Sequence, residues 1–257
     1  MVSADLDIAA ARRVHIATRY FPLSEDPGWD TVERFSLLTV AAGARRAALL
    51  MDLQPSDLSK LREVLMINEG FSTVVVREVC EGALPPPQNH TPEIVQAFLH
   101  TTATLRPREA VHPALWVFRD PADRGAVKQR QPDSPGELLG YPPCCVADRR
   151  RGLATIEQAF LDVLVKACGN DPAAIAKGLR DDVGVDVDDP TLEEYARRPS
   201  TSRRRYPFIV HHACLDCLDS GESPSAGLNE AYKSLALEID QQLHDKLASF
   251  PAAEDET

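Results

Sequence analysis

Phe71-Ser-Thr-Val-Val-Val-Arg-Glu-Val79 is rich in β-branched side chains and reads as a strand. Upstream, Ala47-Ala-Leu-Leu-Met-Asp52 is an unbroken apolar run of strand length, the pattern of a strand buried on both faces. Between them Pro55-Ser-Asp57 opens a helix, with Leu58, Leu61, Val64, Leu65 and Ile67 at near-helical spacing and Gly70 as its C-cap. Strand, helix, strand in that order predicts a parallel pair joined by a right-handed crossover.

Working outward, Val14-His-Ile-Ala-Thr-Arg-Tyr-Phe21 reads as a first strand ended by Pro22, and Asp30 caps a helix running to about Gly43. Thr91 caps a third helix, and Ala114-Leu-Trp-Val-Phe118 is a further strand. Residues 1–120 are thus expected to form an α/β domain on a small, mostly parallel sheet. Pro121 to Pro135 is polar and punctuated by proline, a boundary signal. Residues 121–257 then read as a mainly helical, cysteine-rich metal-binding region. One of its helices carries Leu153, Ile156, Phe160, Val163 and Leu164, and another spans Pro172 to Leu179. A single last helix is expected over Asn229–Leu247, with Tyr232, Leu235, Ile239, Leu243 and Leu247 as its stripe.

Composition narrows the function. The 257 residues are 44% hydrophobic and 26% charged, ordinary for a globular protein. The net charge of −11 argues against broad nucleic-acid or anionic-membrane binding. No apolar run approaches the length of a membrane span. The N-terminal residues lack a basic segment followed by an apolar core, so a cytoplasmic location is expected. In that reducing compartment the six cysteines are expected to be ligands, catalytic groups or core residues rather than disulfides. No glycine-rich phosphate-binding pattern follows any of the strands.

Four of the cysteines fall in two short segments, Gly140-Tyr-Pro-Pro-Cys-Cys145 and His211-His-Ala-Cys-Leu-Asp-Cys217. The Cys214-x-x-Cys217 chelate lets two sulfurs reach one metal, and Pro142-Pro143 stiffens the turn that must bring in Cys144 and Cys145. Four thiolates suit an iron–sulfur cluster or an all-cysteine zinc site equally by count. His211 is a further candidate ligand, and His211 or His212 a candidate proton shuttle. Arg149, Arg150 and Arg151 follow one cluster and Arg203, Arg204 and Arg205 precede the other, candidates to offset cluster charge or attract an anionic substrate. Cys80 and Cys168 read as buried bystanders, and His15, His90, His100, His112 and His244 show no chelating spacing. The aspartates of Asp181–Asp189 lack the calcium-loop pattern and read as an acidic solvated loop. Ser223 reads as a helix cap.

The pair Leu138-Leu-Gly-Tyr-Pro-Pro-Cys-Cys-Val146 and His211-x-x-Cys-x-x-Cys-x-x-Ser220 resembles a family of uncharacterised microbial proteins, domain of unknown function 483. The resemblance covers roughly residues 110–240. It implies that Gly140, Tyr141, Pro142, Cys144, Cys145, His211, Cys214, Cys217 and Ser220 form one functional unit. Ala213 departs from it, because a proline often precedes the cysteine there, and a looser turn is expected. The family carries no settled activity.

Together these features point to a cytoplasmic, metal-dependent enzyme that binds an iron–sulfur cluster and acts on a small, anionic metabolite. A zinc-stabilised, non-catalytic binding or adaptor protein with a protein partner is the alternative. A thiol-based redox or sulfur-transfer protein is a third.

Overall fold

The computed structural model describes residues 6–51, 53–68, 70–76, 84–105, 113–128, 135–181 and 201–253. Cys80, His112 and Asp182, Asp186, Asp188 and Asp189 lie outside them. The chain forms two compact units. The first takes residues 1–82, 112–146 and 199–257, and the second takes 83–111 and 147–198.

The first unit is built on three strands, β1 (Ala47–Leu50), β2 (Ser72–Val76) and β3 (Ala114–Phe118), in the order β1-β3-β2. Both pairings are antiparallel, with Ala48 opposite Val117 and Val74 opposite Trp116. The sheet is therefore not the mostly parallel one expected. β1 and β2 do share a direction, since each opposes β3, but β3 is inserted between them. All five residues of β3 are buried because both sheet faces are covered. Ala48, Leu50, Leu115 and Val117 face the main core. Ala47, Trp116 and Phe118 face a second cluster with Leu138, Leu139 and Tyr141. This alternation is the period of two of a pleated strand.

Two N-terminal helices pack together, α1 (Ile8–Thr18) and α2 (Pro27–Ala41). The strand expected over Val14–Phe21 is instead the end of α1 and the turn after it. Asp7 caps α1 by accepting from Ala10 N–H, and Ala10, Ala11, Val14 and Thr18 form a buried stripe. The turn is held by buried Arg34, which donates to the carbonyls of Thr18 and Phe21, both at 2.8 Å, and pairs with Asp30 at 3.1 Å. Every residue of α2 from Thr31 to Ala41 is buried, so this helix is the centre of the core rather than a surface helix. Its cap is Asp26, with Pro27 in the first turn, four residues before the Asp30 start expected.

Next come α3 (Pro55–Glu63), continued as a π turn at Val64–Asn68, then α4 (Pro92–Leu105), α5 (Asp123–Lys128), α6 (Pro135–Leu138) and α7 (Pro143–Cys168). They are followed by α8 (Pro172–Arg180), α9 (Leu215–Asp219), α10 (Pro224–Ile239) and α11 (Gln241–Ala253). The single last helix expected over Asn229–Leu247 is broken at Asp240. That residue is extended, at φ −162° and ψ 126°, and its carboxylate accepts from Leu243 N–H at 3.0 Å to cap α11. Tyr232, Leu235, Ile239, Leu243 and Leu247 are all buried in the main core despite the break.

The second unit packs α4 against α8, and its core is Ile94, Phe98, Leu161, Leu164, Ile175 and Leu179. His90 Nε2 lies 2.6 Å from Asp162 Oδ1. No helix among the described residues is long and apolar enough to cross a membrane.

Candidate metal centre

The site begins where the second sheet face is covered. Leu138 and Leu139 pack against Trp116 and Phe118, and α6 then ends at Gly140. Gly140 has φ +70°, the left-handed geometry of a helix C-terminus, and Tyr141 N–H closes the turn on Gly136 O at 2.9 Å. Pro143 occupies the first position of α7, where its missing N–H costs nothing. Cys144 and Cys145 consequently sit in the first turn of a helix, whose free N–H groups and dipole favour thiolates.

The partner segment is held from both sides. Ala213 N–H donates to Ser202 Oγ at 2.9 Å, a bond proline could not make, so the turn expected to be looser at this residue is fastened. Cys214 is the N-cap of α9, and Cys217 lies one turn further along it. Cys217 O accepts from Tyr206 Oη at 2.7 Å and from Ser223 Oγ at 3.0 Å. Ser223 also accepts from Ala226 N–H at 3.1 Å, so it caps α10 as expected.

The four Sγ atoms of Cys144, Cys145, Cys214 and Cys217 lie within 4.8 Å of one another and could hold a metal. Cys144 to Cys217 is 3.6 Å, Cys145 to Cys217 3.7 Å, and Cys144 to Cys145 3.9 Å. The sulfurs of these neighbours therefore come together, although successive side chains of a helix do not face each other. All four thiols are free, and only Cys144 is not fully buried.

Burial pushes the Cys145 thiol far up, against the hydrogen bond from Ser225. Burial also raises Cys214 to about 11. Cys217 is also desolvated, yet hydrogen bonds from the side chain and backbone of Ser225 bring it down to about 7. A cation among these sulfurs would supply the charge that burial withholds, since ligands bind deprotonated.

Ser225 is the organiser that sequence reasoning missed. It is fully buried, with Oγ 3.4 Å from Cys145 Sγ and 3.1 Å from His211 Nε2. The signal was indirect: with Ser223 as cap, Ser225 falls in the first turn of α10. His211 is thus placed one layer outside the sulfurs, its ring 4.9 Å from that of Tyr141. Burial, then the charges of Arg45 and His212, lower its pKa to about 3. A neutral His211 that donates from Nε2 leaves the Ser225 hydroxyl free to donate to a thiolate. His212 is exposed.

The arginine triplets have different surroundings. Arg203 is buried over the rings of Trp29 and Phe250, at 4.5 and 4.9 Å. Arg204 is exposed, and Arg205 is exposed beside Tyr206. Arg149, Arg150 and Arg151 lie on α7 in the second unit, where Arg151 pairs with Asp148 at 3.4 Å. Cys168, half-buried, packs against the core of the second unit.

Comparison with protein-family models, with curated proteins and with solved structures finds no match to this chain.

Proposed function

We propose that the protein is a zinc-stabilised binding or scaffold protein in which Cys144, Cys145, Cys214 and Cys217 enclose one tetrahedral ion. The sulfur spacing carries this reading. Thiolates about 2.3 Å from a single zinc form a tetrahedron with edges of about 3.8 Å; the three separations among Cys144, Cys145 and Cys217 are 3.6, 3.7 and 3.9 Å, and Cys214 completes the group within 4.8 Å. In a cubane each cysteine binds a different iron, which requires a wider spread of sulfurs.

Four sulfurs around one ion leave no open coordination position, the mark of a structural rather than a catalytic site. The ion would tie the start of α7 to the 211–217 segment, joining two stretches far apart in sequence. Membership of the family with the resembling signature belongs to the same proposal, with Gly140 and Tyr141 shaping one ligand pair and His211 supporting the other.

Metal analysis and an absorption spectrum on anaerobically purified protein test it. One zinc per chain in a colourless protein is the expected result. Iron with acid-labile sulfide and visible charge-transfer absorption overturns it in favour of a cluster, and metal-free, fully folded protein overturns it in favour of thiol chemistry.

A further inference from the structure

Arg45, just before β1, is buried at 5% exposure. It donates from Nε to Leu139 O at 2.8 Å and from a terminal nitrogen to Ser36 Oγ at 2.9 Å. Its other terminal nitrogen is buried with no hydrogen-bond partner among the described residues. No carboxylate among them forms an ion pair with it either. A guanidinium in this position is costly to desolvate, and the two hydrogen bonds it makes call for donors rather than for a full positive charge.

The surroundings of Arg45 lead to the cysteines. Its guanidinium lies 5.3 Å from the centre of the Tyr141 ring. Tyr141 contacts His211, His211 contacts Ser225, and Ser225 contacts Cys145. A divalent ion held by four thiolates is formally doubly negative. His211 is kept neutral, so it cannot balance that charge.

We infer that Arg45 is the buried counter-charge of the cysteine site and sets how tightly the four sulfurs hold their ion. The inference rests on the proposal that they bind a divalent metal. Arg45 acts as a positioning residue through the field it imposes, and it touches no sulfur-bound ion itself.

Zinc affinity, measured by competition with a chromophoric chelator, tests this in the full chain. Arg45→Gln retains an amide donor without the charge and is expected to weaken zinc binding about tenfold or more. Arg45→Lys restores the charge and stays within about threefold of the unaltered protein. Arg45→Met, uncharged and of similar reach, must lose as much as the glutamine variant. Both uncharged variants lose buried hydrogen bonds to Leu139 O or Ser36 Oγ and so lower the Tm of the metal-free protein. A purely structural role would leave zinc affinity following that Tm loss, whereas a counter-charge makes affinity follow the charge, with lysine restoring it. Wild-type zinc affinity in the glutamine or methionine variant overturns the inference, as does a lysine variant as weak as glutamine. An unaltered protein that binds no zinc instead overturns the metal proposal itself.

Discussion

Ser225 Oγ stands 3.4 Å from Cys145 Sγ, on a side chain with no exposure to bulk solvent. The same oxygen meets His211 Nε2, so one buried hydroxyl touches both a thiol and an imidazole. Outer partners of this kind orient metal ligands and tune their basicity. The sequence placed the histidine beside the cysteines; the hydroxyl links its ring to one of their sulfurs.

Ser225→Ala is expected to weaken metal binding by about tenfold to a hundredfold, the usual effect of removing an outer partner. It also strands the His211 nitrogen, costing about 1–3 kcal/mol of stability. Chelator competition and denaturant unfolding of the loaded protein measure the two effects. Unchanged affinity would exclude Ser225 from the centre.

The pH dependence of stability carries the imprint of His211. Its pKa falls from 6.5 unfolded to about 3 in the fold, chiefly through burial. The unfolded chain takes up the proton first, so this contribution is complete above pH 6.5 and is lost as pH falls towards 3. His211→Asn does not titrate and can still donate to Ser225. The difference in unfolding free energy between the unaltered protein and this variant should therefore vary between pH 6.5 and 4 and be flat above pH 7. A difference flat throughout would mean that His211 is not buried as a neutral base.

The fold and the centre were legible to different degrees, for physical reasons. The cysteine pairs announced themselves because chelation needs a particular residue type at close spacing. The helices with strong stripes, such as the one carrying Phe160 and Leu164, were equally plain. Val14–Phe21 was misread because β-branched propensity outweighed the spacing of Ala10, Ala11, Val14 and Thr18, while the residue that fixes its turn, Arg34, lies sixteen positions beyond Thr18. The sheet was misread because a strand–helix–strand order fixes the direction of β1 and β2 but not what pairs between them. Nothing local showed that β3 enters from residue 114. Arg45 and Ser225 belong to no motif, and their roles arise only from tertiary contact.

Metal removal gives the next expectation. Chelation should lower the Tm and open the 211–217 segment to proteolysis, with zinc restoring both. Cys217→Ser should mimic chelation and resist rescue, because it removes the sulfur within 3.6–3.7 Å of both Cys144 and Cys145. Equal Tm values with and without metal would remove the ion from any role in holding the fold.

Gly140 separates backbone strain from crowding. A Cβ built there meets nothing within 4 Å, so only the φ of +70° opposes a side chain. Gly140→Ala should cost about 1–2 kcal/mol, the usual penalty of left-handed geometry, and Gly140→Asn less, because asparagine tolerates that region. The turn aims Tyr141 and the first turn of α7, so any relaxation towards negative φ would swing Cys144 and Cys145 away from Cys217. Metal affinity should consequently fall in the order glycine, asparagine, alanine, tracking the unfolding free energy measured on the same three proteins. An alanine variant that is destabilised yet binds metal as tightly as glycine would show that the α7 start is anchored independently of this turn, by the Tyr141 hydroxyl on Val210 O.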